Sequence, residues 1–149
     1  LLIIGEGRYK KTLVTNIQMS GLEDKIVCLG QFPARYMPYF YYYSQYLLVS
    51  LKDLPVFGYT LPGKVQSYMS SGKPLLGMVS GETRRIIDQV GCGFSVASGD
   101  HAGFASMLEE SFRLNAEERD RLGALGQFYA NKNFRLESSV QVAITNLLA

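Results

Sequence analysis

The chain has 149 residues, the length of one ordinary domain, and its 15 Lys and Arg against 13 Asp and Glu give a net charge of +2. This charge is far from the basic excess of nucleic-acid-binding domains, and a composition of 47% hydrophobic and 19% charged residues excludes a disordered chain. No apolar run reaches the roughly 18 residues that span a bilayer, and two cysteines with one histidine argue against a disulfide scaffold or a zinc site.

Short apolar runs recur along the chain and predict β-strands. They are Leu1–Ile4, Ile26–Leu29, Tyr46–Ser50, Leu75–Val79 and Phe94–Ala97. None alternates with polar residues, which is typical of strands covered on both faces. Because the chain opens inside the first run, we expect it to be cut from something longer. The edge or face of the sheet left open would then favour self-association.

Apolar residues at helical spacing lie between these runs. Two such stripes end at a glycine, the usual C-terminal cap. They are Leu13, Val14 and Ile17 before Gly21, and Ile86, Ile87 and Val90 between an N-cap at Ser80 and Gly91.

Capping signals predict further helices in the last third of the chain. Asp100 caps a helix with Ala105, Leu108 and Phe112 on its apolar face. Asn115 and Glu118 form a capping box before Leu122, Leu125 and Tyr129, and a last helix covers about 137–148. Strands alternating with helices predict an α/β fold, with a parallel sheet of about five strands and helices on both faces. We assign residues 1–149 to one domain.

Ligands of open α/β sheets bind at the carboxyl ends of the strands. The residues there are Gly5-Glu6-Gly7, Gly30-Gln31-Phe32, Leu51-Lys52-Asp53 and Ser80-Gly81-Glu82. Lys10 stands where a dinucleotide fingerprint needs its third glycine, so a nicotinamide site is excluded. A tight strand-to-helix turn with close backbone approach is the favoured interpretation of Gly5 and Gly7.

The segment 54–74 carries the most information about binding. Pro62 is placed to open a helix, which leaves the amides of Gly63 and Lys64 without intrahelical partners. Such amides form a ready phosphate site. Lys64 and Ser67, three residues apart, share a face away from the apolar residues. An ordinary amphipathic helix with a solvated lysine is the alternative.

Six of the ten tyrosines lie within residues 36–46. Pro38 opens a short helix there, and packing within the fold is the simpler interpretation of this cluster. An aromatic belt against a partner domain or a membrane interface is the alternative. His101 is interpreted as structural. Arg84 and Arg85 are interpreted as a solvated helix face, with a phosphate contact as the alternative.

The order of motifs resembles the carboxy-terminal domain of bacterial glycosyltransferase family 4, whose enzymes have the two-domain GT-B architecture. The matching segments are Leu2-Ile3-Ile4-Gly5-Glu6-Gly7, Gly21-Leu22-Glu23-Asp24-Lys25-Ile26, Leu29-Gly30, Met37-Pro38, Leu47-Leu48-Val49-Ser50, Pro62-Gly63-Lys64-Val65-Gln66-Ser67-Tyr68, Gly72-Lys73-Pro74 and Gly81-Glu82. The resemblance implies a Rossmann-like domain, the C-terminal half of a GT-B fold.

The resemblance also implies a function. The domain would bind a nucleotide-sugar, UDP-linked in the branch with this proline-glycine-lysine form, and the enzyme would transfer the sugar to a surface-polysaccharide or lipid-linked acceptor. The acceptor would be held by an N-terminal domain absent here, so the isolated chain is expected to be inactive. The implied reaction is metal-independent and needs no cofactor. The implied location is the cytoplasm, with peripheral contact to the inner face of the plasma membrane left open.

Site residues follow from the resemblance position by position. The amides of Gly63 and Lys64 would meet the diphosphate, and Ser67 takes the place where many members have a glutamate that binds the ribose. Gly30, Gln31 and Phe32 would flank the base, and Glu6 and Glu82 would line the rim. Tyr59 and Ser67 replace two glutamates that many relatives carry. No catalytic residue is assigned.

Two other functions stay open from the sequence. Asp53 and the pair Lys73-Pro74 suggest a phospho-receiver module, although that pair precedes a strand instead of following one. A sugar-nucleotide epimerase of the same architecture is the second, although its chemistry needs more acids and a histidine in the cleft.

Overall fold

The five predicted strands are present in a computed structural model that describes residues 1–134, and each strand is parallel to the strands with which it hydrogen-bonds. The strands are β1 (Leu2–Ile4), β2 (Val27–Gly30), β3 (Leu47–Ser50), β4 (Leu75–Met78) and β5 (Gly93–Val96). The helices are α1 (Lys10–Met19), α2 (Met37–Tyr43), α3 (Pro55–Gly58), α4 (Gly63–Ser70), α5 (Gly81–Val90), α6 (His101–Arg113) and α7 (Ala116–Asn133). The α/β, Rossmann-like fold predicted from the sequence is therefore confirmed.

The chain divides into two compact units, Leu1–Phe40 and Tyr41–Ala149, with the division inside α2. The strands hydrogen-bond as two separate sets, β1 with β2 and β3 with β4 and β5. The predicted helix over 137–148 lies outside the described residues. No helix within the described part of the chain is long and apolar enough to cross a bilayer.

In the first unit, β1 and β2 pair in register from Leu2 opposite Val27 to a bulge after Ile3. Burial alternates along β2, and Val27 and Leu29 are each 40% exposed. Both side chains point to the same face of the strand. The prediction that every strand is covered on both faces is thus wrong for β2, because one of its faces stays open among the described residues.

In the second unit, β4 runs between β3 and β5 and is the most buried strand. Leu75 pairs with Leu47 on one side and with Gly93 on the other. The predicted double coverage is correct here. The buried core around this sheet consists of Val49, Val65, Met69, Leu75, Val79, Ile86, Ile87, Cys92 and Ala130.

The capping signals position the helices as predicted, with one exception. The carboxylate of Asp100 accepts from the amide of Gly103 at 2.8 Å, and Asn115 with Glu118 forms the complete capping box. Gly91 ends α5 in the left-handed conformation. Ser80 occupies the N-cap of α5 but does not cap it, because its hydroxyl accepts instead from the amide of Ser98 at 3.2 Å.

Two predicted apolar faces are wrong in detail. Phe112 is 69% exposed and Leu125 is 44% exposed, whereas α6 buries Met107 and Ser111. Helix α7 buries Gly123, Gly126 and Ala130. The buried face of α7 carries small residues because the helix packs directly against the backbone of another segment. A methyl group on Gly123 would come within 2.0 Å of the Gly72 carbonyl oxygen.

Cys28 and Cys92 are free thiols that differ in burial. Cys92 is fully buried, and burial raises its pKa to about 11, whereas Cys28 is half-buried. Since the thiolate is the reactive form, we expect a disulfide reagent at pH 8 to modify Cys28 well before Cys92. Titration with the reagent before and after adding guanidinium measures this, and Cys28→Ser should leave no fast-reacting thiol. Fast labelling of that variant would contradict the burial of Cys92.

Candidate functional site

The predicted site residues are distributed over both units. Glu6, Gly30, Gln31 and Phe32 belong to the first unit, and Gly63, Lys64, Ser67 and Glu82 belong to the second.

In the first unit, Glu6 lies beside Gly30 at the carboxyl ends of β1 and β2. The amide of Gly5 donates to the Gly30 carbonyl at 2.7 Å. A methyl group on Gly30 would stand 3.3 Å from a carboxylate oxygen of Glu6. Glu6 is also paired with Lys10, the first residue of α1. In the sequence, Lys10 served only as evidence against a dinucleotide fingerprint. In the structure, its ammonium neutralises the carboxylate of Glu6.

Phe32 begins an aromatic recess in the same unit. Its ring meets Phe40 edge-on with centroids 5.1 Å apart. Phe32, Tyr36, Tyr39 and Phe40 line a recess of about 150 Å³. Gln31 is exposed. The rings give this end of β2 an apolar surface on which a planar group can stack.

In the second unit, α4 begins after Pro62 as predicted. The Pro62 carbonyl accepts from the amide of Val65 at 2.9 Å. Among residues 1–134, no group accepts a hydrogen bond from the amides of Gly63 and Lys64. A methyl group on Gly63 would find no atom within 4 Å, so the approach to these amides is open.

The two faces of α4 separate as the spacing predicts. Val65 and Met69 are fully buried, whereas Lys64 and Ser67 are exposed. The hydroxyl of Ser67 donates to the Gly63 carbonyl at 3.1 Å, which leaves its oxygen lone pairs available as acceptors. No acidic side chain pairs with Lys64 within the described residues.

Glu82 stands in the first turn of α5 and is held by Arg85. The Arg85 guanidinium donates to both carboxylate oxygens, one of these bonds being 2.7 Å from Nε. These bonds hold the pKa of Glu82 below its ordinary value, so the carboxylate is charged at neutral pH. The sequence interpretation favoured a solvated face over a phosphate contact for Arg85 and did not consider a partner, although the i, i+3 spacing from Glu82 is a known pairing distance.

Arg84 and His101 are not part of the candidate site. Arg84 pairs with Asp88 at 3.6 Å on the exposed side of α5. His101 is the exposed first residue of α6. Three or more metal-ligating side chains do not converge anywhere in residues 1–134.

A family model described as glycosyl transferases group 1 matches residues 1–113. The chain belongs to this family. No curated protein sequence matches it. The fold of this glycosyltransferase domain is also found in solved structures of Anabaena HepE.

The HepE complex with UDP and glucose superposes with a TM-score of 0.80 at 18% identity, and the complex with UDP-glucose with 0.78 at 19% identity. Each alignment covers 99% of this chain and 40% of HepE. The chain thus spans less than half the length of these proteins.

Family membership favours a transferase over the phospho-receiver and epimerase alternatives. The pair Lys73-Pro74 directly precedes β4, so it lacks the place after a strand that a receiver needs.

Proposed function

We propose that this chain is the nucleotide-sugar-binding, C-terminal domain of a family 4 glycosyltransferase of GT-B architecture, and that residues 1–149 form that one domain. The enzyme would be a hexosyltransferase that uses a UDP-sugar. The observation that carries this proposal is the open N-terminus of α4, with two free amides and an exposed lysine beside it.

This helix start has the chemistry that a diphosphate needs. The amides of Gly63 and Lys64 point out of the first turn, where the helix dipole adds about half a positive charge. The Lys64 ammonium lies on the exposed side of the same turn. Because amides and lysine together supply positive charge and N–H donors, the proposed site needs no metal ion or other cofactor.

Ser67 is the proposed ribose contact, one turn further along the same exposed face. Its oxygen can accept from a ribose hydroxyl while its own proton stays on the Gly63 carbonyl. A neutral acceptor makes a weaker bond than the carboxylate found at this position in many relatives. We therefore assign most of the affinity to the diphosphate and the base.

The base and rim contacts are assigned to Gly30, Gln31 and Phe32, and to Glu6 and Glu82. The stacking surface that begins at Phe32 supports a base-binding role. The bound UDP and UDP-glucose in the HepE structures support uridine as the base.

The acceptor is proposed to be a surface-polysaccharide or lipid-linked saccharide, held by an N-terminal domain. The proposed location is the cytoplasm, with peripheral contact to the inner face of the plasma membrane. Tyr42 and Tyr43 support that contact, since they are 71% and 82% exposed and the Lys73 ammonium lies 5.7 Å from the Tyr42 ring centre. Tyrosine and lysine together suit a membrane interface.

Nucleotide binding by the chain tests the proposal directly. At ten times its dissociation constant, UDP should add about 1.4 kcal/mol to the free energy of unfolding. The melting temperature of a chain of this length should then rise by about 3–6 °C. Thermal melts with UDP, GDP, TDP and ADP measure the preference, and calorimetry gives the dissociation constants. Binding of GDP in place of UDP would reject only the base assignment, whereas no binding of any nucleotide at millimolar concentration would reject the donor site.

A further inference from the structure

We infer that Gly81 and Thr83, in the first turn of α5, are positioning residues that hold segment 58–62 and so fix where α4 presents its amides to a diphosphate. This role rests on the proposed function, since it concerns the same donor site. Neither residue is placed in contact with the donor itself.

Gly81 allows two stretches of backbone to touch. A methyl group on Gly81 would lie 2.4 Å from the Cα of Gly58 and 2.5 Å from its carbonyl oxygen. Gly81 also has a φ of +64°, a conformation that other residues rarely adopt. Any side chain at this position must therefore push the end of α3 away from α5.

Thr83 makes a second contact with the same segment. It is fully buried, and its hydroxyl donates a long, weak hydrogen bond of 3.5 Å to the Thr60 carbonyl oxygen. The Thr60 hydroxyl in turn donates to the Val56 carbonyl at 2.8 Å. Two residues of α5 thus contact segment 58–62: Gly81 packs against Gly58 at the end of α3, and Thr83 hydrogen-bonds Thr60.

Little freedom remains between Thr60 and the first turn of α4. Leu61 packs against the buried core, and its carbonyl accepts from the Gln66 side chain at 3.3 Å. The ring of Pro62 fixes its φ, here −59°. A displacement of Gly58 is therefore passed on to Gly63 instead of being absorbed by a flexible loop.

The test compares two glycines at opposite ends of α5. Gly91 has a φ of +67°, close to that of Gly81, but a methyl group there would meet only a Leu125 methyl carbon at 3.8 Å. Gly91→Ala thus carries the same backbone strain as Gly81→Ala without the clash. We expect Gly81→Ala to weaken UDP binding at least fivefold relative to Gly91→Ala.

Uracil separates positioning from general damage, because it lacks both the diphosphate and the ribose that Ser67 on α4 is proposed to contact. Titrations of the full chain followed by ligand-observed NMR should show an unchanged uracil affinity in Gly81→Ala beside the weakened UDP affinity. A parallel loss of both affinities would overturn the inference, and so would a UDP affinity equal to that of Gly91→Ala.

Thr83 variants decide the matter if Gly81→Ala does not fold. Thr83→Val removes the donor to Thr60 at nearly the same volume and should weaken UDP binding about threefold, while Thr83→Ser should restore it. Equal UDP affinity in all three proteins would overturn the inference. Absence of binding of any of the four nucleotides by the unmodified chain would instead reject the proposed donor site, and with it this role.

Discussion

Gly123→Ala should lower the free energy of unfolding by about 3 kcal/mol, the upper end of the usual cost of overpacking. The added methyl group would lie 2.0 Å from the Gly72 carbonyl oxygen and 2.7 Å from its carbonyl carbon. Both neighbours are backbone atoms, so α7 must move away from the turn that joins α4 to β4. Urea unfolding followed by circular dichroism measures the loss, and the melting temperature should fall by about 6–12 °C.

A loss of stability in Gly123→Ala is informative because helix propensity alone predicts a gain. In a helix interior, alanine is ordinarily about 1 kcal/mol better than glycine. Phe128→Ala on the same helix is the control, because Phe128 is 72% exposed and its removal should change stability by no more than about 0.5 kcal/mol. A Gly123→Ala protein as stable as the unmodified chain would show that α7 does not lie against this turn.

Strands of the second unit could be predicted because the residue types of a strand depend on how many of its faces are buried. A strand buried on both faces has no polar alternation, and the predicted Leu75–Val79 differs from β4 by only one residue at its end. The same rule failed for β2, whose open face carries Val27 and Leu29. An apolar side chain shows that a residue can be buried, but not that a neighbouring element covers it.

Caps could be predicted because they join residues three positions apart. The bonds of Asp100 to Gly103 and of Asn115 to Glu118 need no information from the rest of the chain. Ser80 shows the limit of such reasoning. Its hydroxyl has a competing donor in Ser98, 18 residues away, and no local pattern reveals that donor.

Packing between helices could not be predicted, since its partners are distant in sequence. Glycine in α7 weakens the helix signal, yet Gly123 and Gly126 are the positions where the helix touches its neighbours. Phe112, by contrast, looks like a core residue and is exposed. The face of α7 that turns inward depends on the backbone at Gly72 and on Cys92, which the sequence of the helix does not contain.

In the candidate site, too, local features could be predicted from the sequence and long-range contacts could not. The start of α4 and the exposure of Lys64 and Ser67 followed from Pro62 and from helical spacing. The pairing of Glu82 with Arg85 could have been found from its spacing. The contact of Gly81 with Gly58 could not, because it depends on how α3 lies against α5.

Lys64→Ala should weaken UDP binding by about 1.5–3 kcal/mol, the range for hydrogen bonds to charged groups, which is a factor of about 10 to 150 in the dissociation constant. Lys64 has no acidic partner among the described residues, so its charge is available to a ligand at the first turn of α4. Lysine and helix dipole act on the same diphosphate, and the loss should therefore shrink as salt concentration rises. Calorimetry at two salt concentrations measures both effects.

The matched control for this lysine is Lys132→Ala. Lys132 is exposed in the last turn of α7, and its removal changes the net charge from +2 to +1, as does the removal of Lys64. If overall charge attracts the nucleotide, both variants should lose affinity equally. If the start of α4 holds the diphosphate, only Lys64→Ala should lose affinity, while Lys64→Arg should keep most of it because the positive charge remains. Equal UDP affinity in Lys64→Ala and Lys132→Ala, with circular dichroism unchanged, would return α4 to an ordinary amphipathic helix with a solvated lysine.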